Sequence, residues 1–263
     1  MTMTASRRRS LAAESLLLAA RLLTQWRREP MVLIQALLYP TFLLITFKLL
    51  VGKSILKITG TDSLYGLVPM CAVAGAMFGA FAASFTVQVE RDWGLLSRMW
   101  TMPVHRASLL TGRLLADGAR TVVGSALITA VGIALGLRFE SSWLAVIPYV
   151  LVPAIVGVVF SAAVIAIAIR AKSSVALVWL MVPSVGAVFS SSGVAPAGML
   201  PGWLEPLVHL NPMAPPMESM RALAMGGPAL WPLLLTLIWA LGLAAVVGPL
   251  AISGYRAAAT SGN

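Results

Sequence analysis

The sequence predicts an all-α polytopic membrane protein with six transmembrane helices, and three observations predict it. Hydrophobic residues fill 59% of the 263 positions, charged residues only 11%, and the mean hydropathy is +0.90. A water-soluble domain carries about 45–50% apolar and about 25% charged residues, so this excess has no place in a single soluble core. The apolar residues gather into runs of roughly 20, the length at which a helix crosses a bilayer while satisfying its own backbone groups. The basic residues lie mostly on one side of those runs, which is how insertion orients a membrane protein. Abundant apolar surface also excludes intrinsic disorder.

In chain order, residues 8–29 predict an amphipathic interfacial helix. Projected at about 100° per residue, Leu11, Leu16, Leu18, Leu22, Leu23 and Trp26 occupy one arc, and Glu14, Arg21, Gln25, Arg27 and Arg28 the other, with Ser15 and Leu17 as exceptions. The apolar arc would face lipid and the arginines anionic headgroups. Arg7-Arg8-Arg9 imitates a signal peptide, but Glu14 and Arg21 interrupt the apolar run and no small-residue cleavage site follows. The spans are expected at 31–50, 64–87, 118–137, 144–169, 175–190 and 230–253. Ser190-Ser191-Ser192-Gly193 ends the fifth, because serine and glycine clusters break helices. Residues 194–227 stay apolar but are broken by Pro196, Pro201-Gly202 and Gly226-Gly227-Pro228. They predict an extracytoplasmic re-entrant region of short helices buried against protein. The whole chain reads as a single transmembrane domain.

The net charge is +10. Of the 19 Lys and Arg residues, 14 fall on the side of the N-terminus, with Arg91, Arg98, Arg106, Arg113, Arg120 and Arg170 among them. Lys48, Lys53, Lys57, Arg138 and Arg221 make up the other 5. Both termini are therefore expected in the cytoplasm of a multi-pass protein of the cytoplasmic (inner) membrane. The surplus positive charge meets anionic membrane lipids and calls for no nucleic acid. The one cysteine, Cys71, sits inside an apolar run and reads as a small packing residue.

Packing devices are visible within the spans. Cys71, Gly75, Gly79 and Ala83 recur every four residues, and Gly75 to Gly79 is a GxxxG, so a second helix can approach this stripe closely. Phe78, Phe81 and Phe85 form a neighbouring stripe that fits either an apolar path or a packed core. Arg113, Asp117 and Arg120 share a helical face at the start of the third span and predict an anchoring salt bridge. No Asp, Glu or His lies deeper in any predicted span, which argues against proton-coupled transport.

Enzyme chemistry lacks parts. There is no GxxxxGK[ST], no HExxH and no CxxC, and the two histidines, His105 and His209, are predicted on opposite sides. No catalytic, cofactor-binding or metal-ligating set is expected, so the function is to move or anchor something.

Two segments carry more specific information. The first, 90–107, opens Glu90-Arg91-Asp92-Trp93-Gly94, continues through Leu96, Arg98 and Trp100, and is stopped at Pro103 before Arg106. Its mixture of apolar and charged residues suits a docking helix, and equally an ordinary charged loop. The second runs Pro201, Trp203, then Asn211-Pro212, then Glu218 and Arg221 three residues apart. The first pattern, E-R-D-x-G-L-L-x-R followed by P-V-x-R, resembles the cytoplasmic coupling segment of ABC-2 type transporter permeases. The second is similar to the segment before the last span in that family, with Pro215 as a departure. The likeness extends over nearly the whole chain and is strongest to the daunorubicin-resistance-type permeases of actinobacteria.

The resemblance implies a permease subunit of an ATP-driven exporter. It would work as a dimer with a second permease, identical or similar, and with two copies of a separate ABC ATPase subunit holding ATP and magnesium; this chain itself would carry no cofactor. Glu90, Arg91, Asp92, Trp93, Gly94, Leu96, Arg98, Trp100, Pro103 and Arg106 would engage the ATPase, with Arg170-Ala171-Lys172 as a secondary contact. Pro201, Trp203, Asn211, Pro212, Glu218 and Arg221 would belong to an extracytoplasmic gate. The cargo would be a long-chain lipid or a drug, since the spans offer apolar surface and no buried site for an ion. An ATP-independent secondary transporter and a non-transporting anchor or immunity protein are the alternatives.

Overall fold

The computed structural model describes residues 10–28, 30–95, 105–171, 173–190 and 210–260. Among them are eight α-helices and no strand: α1 (Leu11–Arg28), α2 (Pro30–Thr59), α3 (Leu64–Asp92), α4 (Arg106–Ala134), α5 (Val146–Arg170, entered through a 3-10 turn at Trp143–Ala145), α6 (Val175–Phe189), α7 (Ala214–Met225) and α8 (Leu230–Thr260). Helices lie at the six predicted segments, the third ending at Ala134, short of the expected 137. Four of them, at Leu64–Asp92, Ala107–Ala134, Trp143–Arg170 and Leu230–Ala251, are long and apolar enough to cross a membrane. At 15 residues α6 is about 22 Å long, short of the roughly 30 Å hydrocarbon layer. Several helices outrun the expected spans, as α2 does to Thr59 and α4 does from Arg106, because Lys, Arg and Ser at their ends continue a helix once a neighbour or water takes the charge.

The bundle is built around α3. In its most apolar stretch 83% of α3 is buried inside the protein, against 11% for α8 at the periphery. Small residues make this possible: Ala72, Ala74, Ala76, Ala80 and Ala83 are all buried, so α2, α4, α5 and α7 can pack around one helix. Gly75 faces Pro40 of α2, where a Cβ would meet the proline Cγ at 3.0 Å. Leu64, Leu67, Met70 and Cys71 of α3 join Tyr149 and Val152 of α5 and Met217 and Met220 of α7 in the main core.

The described part of the expected re-entrant region is α7, a 12-residue helix buried against α3 and α5. Asn211 fastens its start: Nδ2 donates to the Ala187 carbonyl at 2.6 Å and Oδ1 accepts from the Met213 amide at 3.0 Å, joining the end of α6 to α7. Gly226 ends α7 in the left-handed region (φ 70°), which a Cβ would strain. The Glu140 amide donates to the Ala224 carbonyl at 2.9 Å, tying α7 to the connection between α4 and α5. Residues 194–209, with Pro201 and Trp203, lie outside the described residues.

The α1 helix departs from the expected facing. It runs beside α4 in the same direction, from Glu14 at His105 to Trp26 over Arg120. Glu14, on the polar arc of the projection, is buried, and its Oε2 accepts the His105 amide at 2.7 Å. His105 is the N-cap of α4, so a carboxylate meets the unsatisfied donors and positive dipole of a helix start. Ser15 and Ala19 are buried with it, while Leu11, Leu16 and Leu17 point outward. The side of α1 turned to the bundle is thus largely its apolar arc, with Leu18, Ala19, Leu22 and Trp26 buried or half-buried and Glu14 at its edge, while Arg21, Gln25, Arg27 and Arg28 stay exposed.

Close approach requires Gly112, where a Cβ would meet Leu18 Cβ at 2.7 Å and the Ser15 carbonyl oxygen at 2.9 Å. Gly112→Leu is expected to force α1 off α4 at a cost of about 1–3 kcal/mol. Thermal unfolding of the purified chain checks it, with a midpoint lower by at least about 2 °C. An unchanged midpoint would show that α1 is not seated there.

Candidate functional site

One end of the bundle carries the close of α3, the start of α4 and the turn after α5, and arginine side chains organise it. Glu90, in the last turn of α3, accepts from Arg113 of α4 (Nη2 to Oε2, 2.5 Å), and both side chains are mostly buried, at 18% and 10% exposure. Arg91, one residue on, points the other way. Its Nη1 donates to the carbonyls of Ala168 (3.3 Å), Ile169 (3.0 Å) and Ala171 (2.7 Å). These are the orphan acceptors at the C-terminus of α5, where the helix dipole is negative, so a guanidinium is the group that site favours. Gln88 Nε2 adds a bond to the same Ala168 carbonyl at 3.3 Å. Arg170 repeats the device toward α8, donating to the Leu250 carbonyl at 2.6 Å and to Ser253 Oγ at 2.7 Å. The α8 backbone gives way at Gly254, where a Cβ would lie 2.8 Å from Arg170 Nη1.

Farther along α4 lies a second cluster. Asp117 Oδ2 accepts from Ser161 of α5 at 2.5 Å, and Oδ1 accepts from Arg120 Nη2 at 3.2 Å. Both charges are nearly sealed from solvent, at 2% and 8% side-chain exposure. The Arg120 guanidinium lies across Gly79 of α3, where any Cβ would overlap it. The Trp26 ring of α1 covers it with its centroid 5.4 Å away, a cation–π contact. Four helices therefore meet on one ion pair. The GxxxG is explained in two halves: Gly75 admits α2, and Gly79 admits an arginine side chain from α4.

The predicted coupling residues divide accordingly. Glu90 and Arg91 are engaged within the chain, and Asp92 accepts from Arg91 (Nη2, 2.9 Å) while remaining 62% exposed. Trp93 is 78% exposed. Gly94 follows it with φ 67°. Arg106 opens α4. Leu96, Arg98, Trp100 and Pro103 lie outside the described residues. Of the residues expected at a gate, Asn211 and Pro212 form the turn into α7, and Glu218 and Arg221 stand one turn apart on it, half-buried.

Of the aromatic stripe, Phe81 is in the core against Phe160, with ring centroids 5.4 Å apart, and Phe78 meets Tyr39 edge-on at 5.3 Å. Phe85 packs at the edge of the Phe81 cluster. Sequence reasoning missed Gln88, Ser161 and the continuation of the Arg113–Asp117 face through Thr121, Ser125 and Thr129, all buried. The four-residue spacing of those hydroxyls was the available signal. Among the described residues no group of His, Cys, Asp or Glu is placed to hold a metal ion.

Such a bundle, with four helices long and apolar enough to cross a membrane, defines a polytopic helical protein of membranes. A family model described as ABC-2 type transporter matches residues 14–225. The chain is 35% identical over 253 residues to a probable doxorubicin resistance ABC transporter permease protein, DrrC, of Mycobacterium tuberculosis, covering 96% of this chain and 91% of that one. It is 27% identical over 237 residues to the daunorubicin resistance ABC transporter permease protein DrrB1 of Streptomyces coeruleorubidus, covering 90% and 83%. It is also 27% identical over 216 residues to a putative transport permease, ycf38, of Cyanophora paradoxa, covering 80% and 73%. The chain belongs to the ABC-2 type transporter family.

The buried pair generates a test of its own. Arg120→Ala leaves the Asp117 carboxylate buried without its cation, an expected cost of about 3–5 kcal/mol. The unfolding midpoint should fall by on the order of 10 °C. The neutral double variant Asp117→Asn with Arg120→Gln should recover more than half of that fall. Equal midpoints for the single and double variants would show that the charges are not coupled.

Proposed function

We propose that this chain is the permease subunit of an ATP-driven exporter that carries a hydrophobic or amphipathic molecule, a long-chain lipid or a drug, across the cytoplasmic membrane. Membership of the ABC-2 type transporter family across residues 14–225 carries the reading. The names of two relatives, doxorubicin and daunorubicin resistance permeases, support an amphipathic cargo. So does the chain itself, since no charged side chain follows Arg120 on α4, leaving nothing to bind an ion in the upper half of that helix.

In this reading α2, α3, α4, α5, α6 and α8 cross the membrane, both termini face the cytoplasm, and residues 194–227 re-enter from outside as a gate. The chain pairs with a second permease, identical or similar. The exposed apolar side chains of α2 and α6, including Phe42, Leu49, Trp179 and Val182, support such a partner. Two copies of an ABC ATPase, holding ATP and magnesium, grip the 90–107 segment from the cytoplasm.

The geometry at the close of α3 supports a division of labour among the residues of this segment. Glu90 and Arg91 have partners in α4 and α5, so they pass a displacement on to those helices. Asp92 and Trp93 are the exposed pair at the same corner, and an exposed tryptophan is the residue type that most often anchors an interface. Arg170 carries the movement one step further, to α8.

The chain and its ATPase partner, reconstituted together in vesicles, test this. Trp93→Ala with Asp92→Lys is expected to cut ATP-dependent transport about tenfold, the effect of losing roughly 1.4 kcal/mol of docking. The chain should remain in the membrane with an unchanged unfolding midpoint. Undiminished transport would remove Trp93 and Asp92 from the docking surface. Transport by this chain alone, without an ATPase, would overturn the ABC reading itself.

A further inference from the structure

Between α3 and α4, next to the Asp117–Arg120 pair, is a small, largely enclosed cavity of about 10 Å³. Gly75 and Ala76 form its wall on α3, and Arg120, Thr121, Gly124 and Ser125 its wall on α4. Two of these side chains bring polar atoms that are buried and meet no hydrogen-bonding partner among the described residues: Arg120 Nε and Ser125 Oγ. The residues themselves are 8% and 2% exposed. The neighbouring hydroxyls behave differently. Thr121 Oγ1 donates to the Asp117 carbonyl at 2.8 Å and Thr129 Oγ1 to the Ser125 carbonyl at 2.7 Å, the usual arrangement for a hydroxyl inside a helix. Ser125 does not make that bond, although the Thr121 carbonyl is the equivalent acceptor.

We infer that this cavity is a binding site for a single water molecule, held by Arg120 and Ser125 as a fixed part of the α3–α4 contact. The size fits one water, which needs about 10–15 Å³ of probe volume. The chemistry fits a neutral ligand with both donor and acceptor capacity. The Arg120 Nε–H donates to the water oxygen, and the water donates to Ser125 Oγ and to the remaining lone pair of Thr121 Oγ1. That gives it the two to four partners a buried water requires. An anion is disfavoured because Asp117 already neutralises Arg120, and a halide is larger than the space. A cation is disfavoured by the guanidinium. The alternative, a dry cavity, would leave a charged donor and a hydroxyl unsatisfied side by side in a low-dielectric interior.

The water also gives the small residues of this contact a reason beyond close packing. Gly75, Ala76 and Gly124 keep open a space that larger side chains would fill. The polar face of α4 then runs without a break from the Glu90–Arg113 pair through Asp117 and Arg120 to the water and Thr129. This stands on the geometry of the described residues and is independent of the transport reading.

A map of the complete protein in lipid nanodiscs, at a resolution that shows ordered water, tests it directly. The expected result is a peak at hydrogen-bond distance, about 2.7–3.2 Å, from both Arg120 Nε and Ser125 Oγ. No peak there, with Arg120 Nε turned to a protein acceptor, overturns the proposal. Ser125→Ala gives a second reading of opposite sign for the two cases. With water present, removing a partner should lower the unfolding midpoint by about 2–4 °C. In a dry cavity, deleting an unsatisfied hydroxyl and substituting the better helix former would leave the midpoint unchanged or raise it, and either result overturns the proposal.

Discussion

The architecture depends on the guanidinium of Arg120 lying in the groove that Gly79 leaves open on α3. A bilayer supplies no hydrophobic force to press apolar helices together, so helix contacts there rely on close packing and on polar bonds. An arginine at the edge of the hydrocarbon cannot remain unpaired. Here both demands are met at one point. Asp117 takes the charge, Ser161 brings in α5, Gly79 brings in α3, and Trp26 brings in α1. Removal of the ion pair would leave α1 with Glu14, Ser15 and Gly112 as its main ties to α4.

The same principle explains the rest of the charged end. Positive residues accumulate there, and the structure uses them to join helices. Arg91 closes the C-terminus of α5, Arg113 holds Glu90, and Arg170 reaches into α8 at Gly254. Each arginine starts on one helix and ends on another, so the ends of α3, α4, α5 and α8 form a connected frame. A push at Trp93 would be felt along that frame, which is the property a coupling surface needs. The opposite end is arranged differently. Lys48 pairs with Asp62 at 2.5 Å, and Asn211 and the Glu140 amide hold α7 in place. Although burial favours the neutral acid at Asp62, the Lys48 ammonium and the Leu64 amide outweigh it and hold the carboxyl below its ordinary range.

Much of the fold was legible because apolar runs and breakers are local signals. Helices lie at the six expected segments, four of them long and apolar enough to cross a membrane, and Gly226 ends α7 where the glycine–proline cluster predicts a break. The charged face of α4 was also legible, since Arg113, Asp117 and Arg120 declare it by spacing alone. What the sequence hid was long-range pairing. Nothing local says that Glu14 caps a helix starting at His105, that Arg91 turns toward α5 while Glu90 turns toward α4, or that Ser161 completes Asp117. The facing of α1 was misjudged for the same reason. An amphipathic projection assigns the apolar arc to lipid, and here much of that arc packs on α4, with Glu14 at its edge meeting a helix start. The GxxxG signals a close approach, but its second glycine accommodates a side chain, which no periodicity distinguishes from a backbone.

Gly79 and Arg120 therefore offer the most direct test of the central claim, through a double-mutant cycle on the unfolding free energy of the purified chain. Gly79→Ala should destabilise the otherwise unaltered protein, because the added Cβ overlaps the guanidinium. In an Arg120→Ala background the same change should be nearly neutral, giving an interaction energy of at least about 1 kcal/mol. An equal cost in both backgrounds would contradict the account, since Gly79 would then be small for some reason other than the arginine beside it.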